Sequence, residues 1–146
     1  IYRKYTRVSM YEYKIEVLKV IDGDTVDVDI DLGFGVWIRN ERVRLFGIDT
    51  PESRTRDLEE KKYGLAAKQY LKQLIHEGSD LKLKTYKDQK GKFGRVLGEL
   101  LAVHPKEGFI NINDKLVYTH HAVAYHGQSK EKIAEQHIAN REHVVL

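Results

Sequence analysis

Thr25-Val26-Asp27-Val28-Asp29-Ile30-Asp31-Leu32 is the stretch on which the fold turns. Strict alternation puts Val26, Val28 and Ile30 on one face and Asp27, Asp29 and Asp31 on the other, the pattern of a strand with one apolar side. Just upstream, Tyr11 to Ile21 alternates more loosely but is rich in Val, Ile and Tyr, so it reads as a strand. Asp22-Gly23-Asp24 punctuates the two. Downstream, Gly33-Phe34-Gly35 makes a turn and Val36 to Ile48 reads as a third strand, completing a meander. Pro51 ends it, because proline has no N–H to give a sheet and biases Thr50 toward extended geometry.

Beyond this corner the period changes. Arg54 to Lys62 is polar, a surface loop or helix entry, and Leu65, Ala66, Tyr70, Leu71, Leu74 and Ile75 then recur at helical spacing, with Gly78 as the stop. Leu81 to Tyr86 and Phe93 to Val103 read as two strands joined by a turn, and His104 to Gly108 as a loop. Asn111 or Asn113 caps a short helix ending near Tyr118, and Ser129 opens a last helix. The expected fold is α+β: a five-stranded OB-fold-like β-barrel with a helix between strands three and four and two C-terminal helices.

Composition narrows the chemistry. The 146 residues suit one domain, and Cys is absent, which excludes disulfides, thiolate zinc sites and cysteine nucleophiles. No stretch approaches the roughly 18 consecutive apolar residues of a membrane span, and Ile1-Tyr2-Arg3-Lys4-Tyr5 lacks a signal peptide's apolar centre, so a soluble chain of open compartment is expected. Lys and Arg number 25 against 22 Asp and Glu, a net charge of +3. The charge is unevenly spread. Asp22 to Asp31 carries five Asp and no cation, whereas Lys82 to Arg95 carries six cations against Asp88. One segment suits a cation and the other a polyanion, unless both are simply solvated strand faces.

Several residues do not behave like structure. Asp22 and Asp24 share the parity of the apolar face, so each carboxylate must be hydrogen-bonded, paired, bound to a cation or used in an Asp-Gly turn. Arg44, in Val43-Arg44-Leu45-Phe46-Gly47-Ile48, has apolar neighbours and calls for a carboxylate or a phosphate. Asp49 and Glu52 straddle the proline corner, so one can meet a hard metal while the other orients or deprotonates water. Arg95 follows Gly94, which permits close backbone approach. Together these are the parts of metal-assisted phosphodiester cleavage. Rival chemistries lack their motifs: the seven His form no His-Glu-x-x-His pair and read as solvated or capping residues, Gly91-Lys92-Phe93-Gly94 is no P-loop, and Gly-x-Ser-x-Gly is missing.

Val20-Ile21-Asp22-Gly23-Asp24-Thr25, Arg42-Val43-Arg44-Leu45-Phe46-Gly47-Ile48-Asp49-Thr50-Pro51-Glu52 and Lys92-Phe93-Gly94-Arg95, in this order, closely resemble the staphylococcal-nuclease-like (thermonuclease) family. Tyr63-Gly64, Ile112-Asn113-Asp114-Lys115-Leu116-Val117 and Ala124-Tyr125 extend the likeness, which runs from about Tyr11 through Tyr125. The resemblance implies a calcium-dependent nuclease that hydrolyses DNA and RNA, prefers single strands and leaves a 3′-phosphate. It implies Asp24, Asp49 and the main-chain carbonyl of Thr50 as calcium ligands, with Asp22 reaching the ion through water. Glu52 corresponds to the carboxylate that activates the attacking water, and Arg44 and Arg95 to the arginines that grip the phosphate. Lys92, Phe93 and Tyr125 would contact substrate, with Phe93 standing where the type member has Tyr and Gly127 where a second cleft tyrosine is expected. The hairpin between Asp24 and Arg44 is longer than in the type member. The alternative is a catalytically inactive module of the same fold that binds nucleic acid or a partner.

The domain is expected over residues 11–146, a monomer free of membranes, with residues 1–10 as an N-terminal arm ahead of the first strand. A protein shortened to begin at Met10, the single Met, is expected to keep its urea midpoint and its activity; appreciable loss of either makes the arm part of the domain.

Overall fold

The computed structural model describes residues 10–90 and 95–146, with side chains over 11–86 and 95–146. Strands β1 (Met10–Asp22), β2 (Thr25–Gly33) and β3 (Val36–Leu45) form the meander that the alternation predicts. A Phe46-Gly47 turn cuts the expected third strand, and its remainder is the two-residue β4 (Ile48–Asp49), which pairs antiparallel with β8 (Val123–Ala124). Helix α1 (Leu58–Glu77), strands β5 (Ser79–Lys90), β6 (Val96–His104) and β7 (Gly108–Asn111), and helices α2 (Ile112–Tyr118) and α3 (Lys130–Asn140) complete the chain, with a 3-10 turn at Arg141–His143. None of the described helices is long and apolar enough to cross a membrane.

The main sheet runs β3-β2-β1-β5-β6-β7, antiparallel throughout. In addition β3 pairs in parallel with β6, Val43 opposite Val96 and Leu45 opposite Gly98, so the pairings return to the strand they started from. Val26, Val28, Val43, Leu45, Leu83 and Leu100 point inside this circuit and are buried. Opposite them, the Asp face of β2 is not simply solvated. Arg42 lies across from Asp27 and binds it through two nitrogens, while Asp29 is buried, held by Arg39 and the Asn40 N–H. These donors keep both carboxyls below the ordinary aspartate range, so their share of stability is present above pH 4 and lost as pH falls through the lowered values.

Helix α1 starts earlier than the apolar spacing predicts, because Asp57 caps it, accepting from the Glu59 and Glu60 N–H groups, and Gly78 closes it as expected. Its buried face is Gly64, Ala67, Leu71 and Leu74, a seven-residue repeat that leaves Leu65, expected inside, exposed. Gly64 matters most for the site. A Cβ there would overlap the Glu52 carbonyl and the Ser53 nitrogen, and one at Gly23 would crowd Ala67 and Thr50. Two missing side chains thus let α1 and the β1–β2 turn close on the proline corner from both sides.

The expected loop after His104 is a turn over 105–107, and beyond it lies a strand the sequence did not signal, β7, in which Phe109 and Ile110 extend the sheet beside Val103 and Ala102. Asn111 caps α2 through the Asp114 N–H, which frees Asn113 for another task. Almost wholly buried, Asn113 accepts from the Leu100 N–H and donates to the Phe46 and Gly98 carbonyls. Phe46 in turn donates to Gly98. One amide side chain therefore ties α2, β6 and the β3–β4 turn together. Asn113→Ala is expected to take this partner from the Leu100 N–H and the Phe46 carbonyl, at about 1–3 kcal/mol for each left unsatisfied, read as a lower urea midpoint; an unchanged midpoint refutes this role.

Candidate active site

The site grows from the end of the meander. The Asp22–Thr25 turn sets Asp24 against the proline corner, where its carboxylate accepts from the Thr50 N–H at 3.1 Å and from the Thr25 hydroxyl at 3.1 Å. Asp24 and Thr50 are both buried, as the parity of the apolar face requires. Asp22 accepts from the Ser53 hydroxyl on the far side of the same corner. Its carboxylate thereby fixes the segment that follows Glu52.

Arg44 comes in from β3 and settles between two acids. Its Nη2 lies 3.4 Å from Asp24 Oδ2 and 3.4 Å from Asp49 Oδ1, while Nη1 donates to the Leu45 and Ile48 carbonyls at 2.9 Å each. Mostly shielded from solvent, the guanidinium has the carboxylate partners its apolar neighbourhood demands. Two acids share one cation, so the cluster keeps a negative surplus. Glu52 registers it: burial first, then the charges of Asp22, Asp24, Asp49 and Glu60, push its carboxyl above the ordinary glutamate range. Its own N–H donates to Glu60, so the backbone at this point is tied to α1.

Arg44, Asp49, Glu52, Arg95 and Tyr125 line one cleft of about 1140 Å³. They come from β3, β4, the proline corner, the start of β6 and the segment after β8. Tyr125 is about half exposed, and its N–H donates to the Gly47 carbonyl. Asp24, Asp22 and Thr50 lie behind that wall rather than in it. Lys92 and Phe93 lie outside the described residues. The basic segment expected along the groove reaches it only through Arg95 among its described side chains: Lys84 lies opposite Glu99 across the strand pair, and Lys82 stands by Asp80. Alternation about the inward Leu83 turns both lysines away.

Sequence reasoning missed the opposite wall. Helix α3 supplies Lys130, Ile133 and His137 to the cleft. His137, read from sequence as a solvated or capping residue, is instead largely covered, with Nε2 2.8 Å from Asp49 Oδ2. No local signal marks it, because its partner is 88 positions away. His104 likewise is buried, bonded to Glu77 through Nε2 and accepting from the Lys106 and Glu107 N–H groups at Nδ1. Helix α3 itself buries no residue. It is held by Ser129 capping Lys132, by Gln128 to Gln136, by Asn140 to the Ala122 carbonyl and by the histidine contact.

Chemically, the corner offers oxygen donors and no sulfur, the set a hard cation takes. Among the described residues no three His, Asp or Glu side chains gather into a metal cage. An ion held here would draw on a main-chain carbonyl and water beside the two aspartates, and the negative surplus would favour it. The residues present fit a hard divalent cation on these grounds. Since ionised Glu52 is disfavoured in the folded protein, Glu52→Gln should raise the urea midpoint of the metal-free protein at pH 7 to 8. That gap should close as pH falls toward 4.5, the ordinary glutamate value. A lowered midpoint at neutral pH would instead make Glu52 a structural ion-pair partner.

Comparison with known proteins agrees in kind. The family model described as staphylococcal nuclease homologue matches residues 42–144, more than half of the chain. The chain is similar to the thermonuclease of Staphylococcus intermedius, 37% identical over 81 residues, covering 56% of this chain and 44% of that protein. It is similar to Endonuclease YhcR of Bacillus subtilis (strain 168), 27% identical over 119 residues, 78% of this chain and 9% of that protein. Protein ParB of Escherichia coli is 31% identical over 127 residues, 82% of this chain and 63% of its own length. The chain spans less than two thirds of each of these relatives.

Proposed function

The chain belongs to the staphylococcal nuclease homologue family, and on that premise we propose that it is a calcium-dependent nuclease acting on DNA and RNA. In this reading it prefers single strands, leaves 3′-phosphates and works as a monomer away from membranes. The domain is residues 11–146, and its strand circuit is the family's five-stranded OB-like barrel. The observation that carries the reading is the convergence of Arg44, Asp49, Glu52, Arg95 and Tyr125 on one cleft from five separate stretches of chain. The names of the relatives, thermonuclease and endonuclease, support it.

Asp24, Asp49 and the Thr50 carbonyl would hold the calcium ion, with Asp22 acting through water. Bound there, calcium would polarise a phosphate oxygen and offset negative charge. Glu52 takes the proton of the attacking water. Its raised pKa makes it a stronger base than an ordinary glutamate once ionised, which suits that task. Arg95 and Arg44 hold the charge that builds on the phosphate oxygens. Arg44 Nη2 meets its carboxylates at 3.4 Å, longer than a tight hydrogen bond, so a phosphate can compete for the same edge. Tyr125 gives a base a face to stack on, a contact that suits unpaired strands. Lys92 and Phe93 take their substrate role from the family pattern alone.

The rival, a binding module without catalysis, draws support from Arg44, whose guanidinium is already engaged by two carboxylates and two main-chain carbonyls. Cleavage of denatured DNA separates the two. Activity should appear with calcium and vanish with a chelator. Glu52→Gln should lower kcat by about two to four orders of magnitude while calcium affinity stays close to its starting value. Arg95→Lys should not restore what Arg95→Ala loses, because an ammonium cannot bridge two phosphate oxygens. A fully active Glu52→Gln protein ends the assignment, and binding of DNA with no cleavage under any metal establishes the rival.

A further inference from the structure

On the flank of α1 away from the cleft, Leu18, Lys19, Lys68, Lys72, Ile75 and His76 line a separate groove of about 440 Å³. Two independent features build it. Lys68, Lys72 and His76 follow one another at four-residue intervals and so stack on one stripe of the helix. Across from them β1 bulges: Val17 pairs with Val28 and Lys19 with Asp27, so Leu18 is the extra residue and its side chain is turned outward, half exposed. The groove therefore has cationic walls and an apolar patch formed by Leu18 and Ile75.

Its charges are not spent on the protein. Among the described residues no carboxylate makes a salt bridge with Lys19, Lys68 or Lys72, whereas Arg39, Arg42, Arg44, Lys62 and Lys115 each hold one. Lys19 does feel Asp27, but that carboxylate is already gripped by Arg42. Like charges at four-residue spacing cost a helix a few tenths of a kcal/mol per pair. An anion bound between them would reverse that cost.

The geometry points to this groove as a second nucleic-acid contact, an exosite that holds the phosphates of a single strand whose scissile bond lies in the cleft. It rests on the nuclease reading for the identity of the polyanion. Glu60 on the same helix lines the cleft. Lys68 and Lys72 stand eight and twelve residues farther along, about 12–18 Å by helix rise and about 80–120° around the axis. A strand leaving the cleft along α1 reaches them within a few nucleotides, and Leu18 then offers an apolar surface to a sugar or base. Lysine suits the task, since its point charge on a flexible stem tracks a backbone without demanding one geometry.

Fluorescence anisotropy tests it, with the full chain in chelating buffer and two probes: a labelled single strand of about twenty nucleotides, and a dinucleotide too short to span both places. The combined variant Lys19→Ala, Lys68→Ala, Lys72→Ala should raise Kd for the long strand about tenfold or more at low salt. It should also reduce the slope of log K against log salt by about 2, at roughly 0.7 for each phosphate no longer neutralised. Dinucleotide Kd should stay within about twofold. Lys106→Ala, a charge removed from a different surface, should alter neither. Lys72→Glu alone, at an exposed helix position, gives the same ranking if the triple variant is poorly folded. Long-strand affinity that does not move, or an equal loss on both probes, overturns the exosite. So does lysine-dependent retention on phosphatidylserine vesicles with strand affinity unchanged, which would assign the groove to a membrane. If the groove effect is found but the chain cleaves nothing, the nuclease reading fails and the groove stands only as a nucleic-acid contact of a binding module. If calcium-dependent cleavage occurs without a groove effect, the reverse holds.

Discussion

The Arg44 guanidinium between Asp24 and Asp49 is the contact on which the rest of the site depends. It joins the β1–β2 turn to β4, and through two carbonyls it also fixes the Phe46-Gly47 turn that separates β3 from β4. A shielded cation with two carboxylates avoids the cost of an unpaired buried charge, but it leaves the cluster negative. Burial first, and then that surplus, raises Glu52, and the surplus makes the corner attractive to a further cation. Structure and chemistry here are one electrostatic arrangement. Removing Asp24 or Asp49 would relieve the surplus and take from Arg44 one of its two carboxylates at once, so simple deletion of either acid tests stability together with ion binding.

Packing then holds that arrangement in place. The proline corner is gripped by Gly64 from one side and by Gly23 from the other, at approaches that no side chain permits. Asn113 anchors the neighbouring turn from beneath. Such close backbone contacts deny the corner room to relax, which suits a site whose acids and arginine must keep fixed relative positions. By contrast α3 closes the opposite wall without burying a single residue, held chiefly by polar contacts including His137 on Asp49. The cleft thus has one rigid wall carrying the acids and arginines and one lightly attached wall. Elements with few buried contacts open at low free energy.

The two halves of the charge pattern also have different fates. The acidic run on β2 is consumed locally: Asp27 and Asp29 take Arg42 and Arg39 from the adjacent strand, and Asp31 accepts from the Gly33 N–H. Only Asp22 and Asp24, whose parity sets them with the apolar face, reach the corner. The basic run on β5 and β6 contributes Arg95 to the cleft, while its described lysines face elsewhere. Net charge by segment was therefore a weaker guide to the site than side-chain parity.

Legible in the residues alone were the β1–β2–β3 meander, the breaking of the sheet at Pro51, the caps at Gly78 and Ser129, and the candidate set Asp24, Arg44, Asp49, Glu52 and Arg95. Each of these follows from neighbours a few residues apart: strand alternation, a missing N–H, a side chain reaching the next turn, or a motif of adjacent residues. Folding in three dimensions was needed for the parallel pairing of β3 with β6, the extra strands β4, β7 and β8, the three-way role of Asn113, and His137 on Asp49. Those contacts join residues 53 (Val43 and Val96), 67 (Phe46 and Asn113) and 88 (Asp49 and His137) positions apart. A partner at that distance leaves no trace in local periodicity, because what selects it is closure of the sheet and the space left beside it, and both exist only once the chain has folded.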